Sequence, residues 1–319
     1  MRLLPVALAA AAALGVLVSG GVGAEPLRVG KGSPQSFSLV PVDVGVASGI
    51  FARNGLDIEI VNFQGGARLH QGVAAGAVDI AVGSGPELAF VAKGAPEIAV
   101  AEVAGPPLYL GIVVLKDGPA QTVEALRGQK IGVSSVGSIS YWVAVELARA
   151  KGWGADGITP VSLGGNFAAR IAALKIGAVA ASVDATVEGF QLEEKHEGRL
   201  LIPVSDYIKD FVTGALFASN KLVHDDPGAV RRFIAAWFET IAYMRAHKDE
   251  TTRIARGLSG VDESVESREY DLVMPMYTDD GRFDAKGLAV LQRSFVDMKL
   301  LESEPDMAPL YTEAFLPKR

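Results

Sequence analysis

"GAVDIAVGSGPELA" at residues 76–89 and "GAVAASVDATVEGF" at residues 177–190 open on the same Gly-Ala-Val word, 101 positions apart. In each copy a short apolar run follows, too brief for a helix and bounded by glycine, which reads as a buried strand. Small polar residues come next, and then a helical pattern. The flanking segments repeat in the same order. Upstream of the first copy lie a strand in "LRVGKG" (27–32), a helix over 37–55 ended by Gly55, and a strand in "LDIEIVNF" (56–63). A Gly65-Gly66 turn then leads into a helix. Upstream of the second copy lie "QKIGVSS" (129–135), a helix over 140–152, "ITPVSLGG" (158–165) and a helix over 166–177. The spacing from Gly-Gly to Gly-Ala-Val differs by two residues between the halves, so one of them carries an indel. Strands that alternate with short helices imply crossover units on mostly parallel sheets, an α/β fold.

Beyond a further apolar strand in "FVTGALFASN" (211–220) the pattern becomes helical. Asp226 is placed as an N-cap with Pro227 in the first turn, and Val230, Phe233, Ile234, Trp237, Ile241 and Met244 fall on one stripe. Later helices are expected over 263–276, bent or ended near Pro275, and over 284–299. A last docking helix is expected in "MAPLYTEAFLP" (307–317).

The 319 residues exceed what one core usually serves, so two domains are expected. Residues 1–24 stand apart. Arg2, the apolar "LLPVALAAAAALGVLV" and small residues at Val22 and Ala24 have the layout of a cleavable secretory signal peptide. Its removal takes the formal charge from −7 to −8, which argues against nucleic acid or an anionic membrane surface as partner. With no cysteine there is no disulfide, thiolate metal site, thiol nucleophile or lipidated cysteine. An exported, cysteine-free chain suggests a periplasmic location. The histidines (His70, His196, His224 and His247) have no metal-ligating spacing, and no dinucleotide, P-loop or nucleophile-elbow pattern occurs. Accordingly no catalytic residue, metal site or cofactor is assigned.

Four short motifs in order give the chain a resemblance. They are Gly49, Phe51, Gly55, Leu56 and Ile58; then Leu126, Gly128, Lys130, Ile131, Gly132 and Val133; the two Gly-Ala-Val segments; and the tail "GRFDAKGLAVLQRSFVDMKLL" (281–301). Together the sequence resembles periplasmic substrate-binding proteins of ABC transporters, in the nitrate/sulfonate/taurine and thiamine-precursor group. The resemblance implies a two-lobed periplasmic-binding-protein type II (Venus flytrap) fold, with two similar lobes joined by two hinge strands. One lobe would hold 25–114 plus 219–319, the other 115–218. It implies a monomer that closes on a small organic or inorganic anion, or a related heterocycle, by hinge motion and docks on a membrane permease. Two alternatives stay open: a thiamine-pyrimidine-type biosynthetic enzyme on the same fold, and a ligand sensor that docks on a membrane receptor.

In open parallel sheets ligands sit beyond the carboxyl ends of the strands. The loops there are "KGSPQSF", "GSGPE", "SSVGSIS", "GGN" and "VDAT", rich in hydroxyl and backbone donors that can hold an anion without a full positive charge. The candidate ligand contacts are Ser36, Phe37, Gly83, Ser84, Tyr109, Ser135, Ser138, Ser140, Asn166 and Asp184. Tyr141 or Trp142 could add an aromatic wall. Glu87 fits a capping box with Ser84. Asp79 is expected to be structural, and Arg68 and Arg170 to face solvent.

Overall fold

The computed structural model describes residues 25–136, 138–154, 156–164 and 166–318. The leader expected at residues 1–24 lies outside these. Among the described residues no helix is long and apolar enough to cross a membrane.

Among the described residues ten strands form two sheets of five. They are β1 (Leu27–Lys31), β2 (Ile58–Asn62), β3 (Ile80–Ser84), β4 (Glu97–Ala104), β5 (Leu110–Leu115), β6 (Gln129–Val133), β7 (Ile158–Ser162), β8 (Ala181–Ala185), β9 (Gly198–Pro203) and β10 (Gly214–Ser219). The first sheet runs β2-β1-β3-β10-β4 and the second β7-β6-β8-β5-β9. In each, the three strands of the repeated unit pair in parallel: Leu27 opposite Ile58 and Val29 opposite Ile80 in one, Gln129 opposite Ile158 and Ile131 opposite Ala181 in the other. A single strand, β10 or β5, runs antiparallel to both of its neighbours.

The exchange of β5 and β10 revises the expected lobe limits. Leu110–Leu115 belongs to the second sheet and Gly214–Ser219 to the first, each inserted beside a Gly-Ala-Val strand. The chain therefore changes sheet before these strands, at 105–109 and 204–213, and not at 114/115 and 218/219. The apolar runs alone cannot show this, because a strand buried on both faces looks the same in either sheet.

Helix Pro227–Ala246 backs the first sheet. Its stripe of Val230, Phe233, Ile234, Trp237, Ile241 and Met244 is buried throughout, and Phe233 stacks on Phe51 at 5.1 Å between centroids. Asp226 caps this helix as expected, its Oδ1 accepting from the Ala229 N–H at 2.8 Å. Asp226→Ala should lower stability by about 1 kcal/mol, read by urea denaturation. The helix expected over 37–55 is broken into a 3-10 turn at Phe37–Leu39 and helices Val40–Ala47 and Ile50–Arg53, with Gly49 between them at φ 70°. The tail holds only a short turn, Ala308–Leu310, followed by a bridge from Tyr311 to Ala99.

The two lobes touch through two pairs of helices. Thr186 donates to Glu269 at 2.6 Å, Arg268 bonds Glu193 at 2.6 Å and lies over the Phe190 ring, and Arg149 bonds Asp297 at 2.9 Å. Trp142, fully buried, stacks on Phe211 of the second crossing at 4.5 Å. These contacts hold the lobes together over a cleft.

Candidate functional site

The cleft holds two adjoining chambers that share Ser36 and Tyr109 in their walls. The first, about 180 Å³, lies at the carboxyl ends of the first sheet and is lined by loop residues including Ser33, Ser36, Gly83, Ser84 and Glu87, with Thr213 from the second crossing. Thr213 is buried and its hydroxyl has no partner among the described residues. The Ser36 and Ser38 hydroxyls bond one another at 2.8 Å.

Glu87 does not cap its helix as expected; its side chain makes no capping hydrogen bond. Ser84 Oγ donates to Glu87 Oε1 at 3.0 Å, and His70 Nε2 lies 2.6 Å from Oε2. The other ring nitrogen of His70 lies 2.7 Å from Glu97. The carboxylate occupies the space that side chains at Gly66 and Gly83 would fill, since a Cβ added at either would run into its oxygens. It thus stands at the start of helix Gly66–Ala74, where the helix dipole favours negative charge. Burial opposes the charged form of His70, but Glu87 and Glu97 outweigh it and push its pKa up to about 9. His70 itself is buried beneath the chamber.

The second lobe repeats this arrangement with different chemistry. Glu188 stands 101 positions after Glu87, the offset of the Gly-Ala-Val words, and lines the second chamber. The cation on the preceding helix is here Arg170. Arg170 Nε bonds Asp184, Nη1 bonds the Gly164 carbonyl at 2.9 Å, and Nη2 reaches Glu188 at 3.4 Å. Ser182 also donates to Asp184. Arg170 is buried and not solvent-facing as expected, because the buried Asp184 demands a partner. Burial, then the Asp184 charge, raises Glu188 to about 7 against the pull of Arg170. Arg68 is exposed, and Asp79 pairs with Arg28 at 2.7 Å.

The second chamber, about 280 Å³, is walled by Phe37, Tyr109 and Phe167, and by Glu188, Glu266 and Glu269. Glu269 comes from helix Glu263–Val273 of the first lobe and bonds Thr186 of the second. Burial raises it to about 8. Ser259 donates to Glu266 at 2.8 Å, and burial raises that carboxyl also.

Of the sequence candidates, Ser36, Phe37, Gly83, Ser84 and Tyr109 line the chambers. Ser135, Ser138, Ser140, Asn166 and Asp184 line neither. Ser138 caps helix Ile139–Ala150 through the Tyr141 N–H and donates to the Ser135 carbonyl at 2.7 Å. Ser140 is buried against Ser134 and Ser138, Asn166 caps helix Phe167–Lys175, and Asp184 is paired internally. The Ser138 and Ser140 hydroxyls are engaged by the backbone of their own loop. Trp142 is core. Lining residues outside the candidate set include Glu87, Thr213, Glu188, Glu266 and Glu269. The repeated glutamate at the common offset could have disclosed two of them; nothing in the sequence marks the others.

Residues 37–251 match the family model described as NMT1/THI5 like. The chain belongs to the NMT1/THI5-like family. Its relatives include a putative aliphatic sulfonates-binding protein of Bacillus subtilis, 24% identical over 76% of this chain and 72% of that one. Another is a putative thiamine biosynthesis protein of Haemophilus influenzae, 26% identical over 65% of each. In structure the NMT1/THI5-like chain is similar to the periplasmic aliphatic sulphonate binding protein SsuA from Escherichia coli. The TM-score is 0.76 at 20% identity, covering 90% of this chain and 92% of that one. The likeness establishes the two-lobed α/β fold.

Proposed function

We propose that this protein is the periplasmic solute-binding component of an ABC importer. It captures one small molecule in the cleft between its lobes and presents it to a membrane permease. The observation that carries this reading is the chambered cavity itself, walled by both lobes and lined by hydroxyls, aromatic rings and carboxyls. A cavity of this shape binds by enclosure, with the lobes parting about the crossings at 105–109 and 204–213. Ser33, the Ser36–Ser38 pair, Thr213 and Tyr109 give the first chamber hydrogen-bonding capacity suited to sulfonate, nitrate or carboxylate oxygens, or to a related heterocycle. The names of the sulfonate-binding relatives favour the same class. A catalytic reading has less support: His70 has both ring nitrogens engaged by carboxylates and is buried outside both chambers.

The protein acts as a monomer, exported by the leader at residues 1–24. The test is a thermal-shift screen against sulfonates, nitrate, aromatic carboxylates and pyrimidines. A true solute at about 100 times its dissociation constant should add about 2.7 kcal/mol of stability. Conversion of a hit into product would replace the binding reading with an enzymatic one.

A further inference from the structure

The charges on the cleft wall point to part of the solute that the first chamber does not explain. Glu188, Glu266 and Glu269 line the second chamber, and among the described residues no lysine, arginine or histidine lines either chamber. The nearby cations are committed elsewhere. Arg170 bonds Asp184 and the Gly164 carbonyl as well as Glu188, His70 lies between Glu87 and Glu97, and Lys31 is buried against Asp43. Arg256 is the cation nearest Glu266, but its guanidinium bonds Glu263 at an exposed position.

A second observation concerns hydrogen bonding. Glu269 is 2% exposed, yet its only hydrogen bond among the described residues is from Thr186 to Oε2. Its Oε1 takes no hydrogen bond among the described residues, and the residue lines the cavity. A carboxylate that the fold largely buries and bonds at one oxygen only has room for a further donor from the cavity. Three aromatic rings complete the wall. Carboxylates beside aromatic faces, in a space of about 280 Å³, match an ammonium or amidinium centre with apolar substituents.

We infer that the second chamber is a subsite for an organic cation, a protonated amine or quaternary ammonium carried by the solute. The inference rests on the solute-binding reading and names the charge of the part bound by Glu188, Glu266 and Glu269. Binding of a cation there favours the ionised carboxylates. Glu188 faces Asp184 and Arg170; Glu269 faces Glu266, Glu188 and Tyr277; Glu266 faces Arg256. Affinity for a cation of fixed charge therefore rises with pH through the range where Glu188 and Glu269 titrate, about 7 to about 8.

Matched probes test this by calorimetry on the purified protein: choline against 3,3-dimethyl-1-butanol, and benzylamine against benzyl alcohol. The cationic member of each pair should bind at least about tenfold more tightly, and choline should bind more tightly at pH 8.5 than at pH 6. Glu266→Gln with Glu269→Gln should abolish the preference. Gln191→Lys, which sets a tethered ammonium at the chamber wall, should weaken the cations and spare the alcohols. Equal binding of charged and neutral twins would overturn the cation subsite and leave the solute-binding reading standing. Silence from every probe, while the screen of anions and pyrimidines yields a ligand, would overturn the subsite alone. Silence in both experiments would overturn both readings.

Discussion

Arg170→Met should lower the stability of the protein by about 3–5 kcal/mol, because it leaves a buried carboxylate without its counter-charge. Asp184 is fully buried, and its other donor is the Ser182 hydroxyl. Glu188 stands close enough for its own titration to be raised by Asp184, so loss of the guanidinium sets two carboxylates against each other. Pairing Arg170→Met with Asp184→Asn should restore most of the loss, since an apolar or neutral pair has no ion to desolvate. Urea denaturation of the two variants measures both steps. A loss under about 1 kcal/mol for Arg170→Met would mean that water reaches Asp184, as at a surface pair.

Stability should also fall steadily as pH rises from about 4.5 to about 9. Four buried groups hold protons more tightly in the fold than in the unfolded chain. Burial, with Asp284 and Asp280 adding, raises Glu102 to about 8. Burial likewise raises Glu269 to about 8 and Glu188 to about 7, and the two carboxylates around His70 raise it to about 9. For each glutamate the unfolded chain ionises first, near pH 4.3, so folding loses ground between there and the folded pKa. The charged His70 stabilises the fold fully below about pH 6.5, and that contribution is lost as pH passes about 9. All four act in the same direction. At about 1.4 kcal/mol per unit, and allowing for relaxation, the combined loss is on the order of 5 kcal/mol. At roughly 2–4 °C per kcal/mol, the thermal midpoint at pH 9 should lie about 10–20 °C below that at pH 5. A flat or rising midpoint would show that these groups are ionised or solvated in the fold. Glu102→Gln should flatten the curve with no bearing on the cleft, since Glu102 bonds the Asp284 N–H away from both chambers.

Elements that form from neighbours in sequence were legible. The period-two strands, the Gly-terminated helices, the Asp226 cap and the duplicated Gly-Ala-Val unit depend on local backbone preference and side-chain period. They fixed an α/β chain with two similar sheets and placed the cleft at the carboxyl ends of the strands. Half of the candidate contacts line the cavity for that reason. Of the other half, Ser138 and Asn166 meet the backbone N–H of their own helix's first turn, and Asp184 pairs with Arg170.

Only the tertiary structure decided which sheet each crossing strand joins, where the cations go and what charge the cleft carries. β5 and β10 exchange sheets because each completes the far side of a Gly-Ala-Val strand, a pairing between segments far apart in sequence, as Leu110 with Ala185 and Leu216 with Val82. Arg170 turns inward because Asp184 is buried, and Glu269 meets Thr186 from 83 positions along the chain. The two Gly-Ala-Val words set two glutamates at matching places by themselves. It is burial in the fold, a property of no single segment, that raises the carboxyl groups of Glu188 and Glu269 above their usual range.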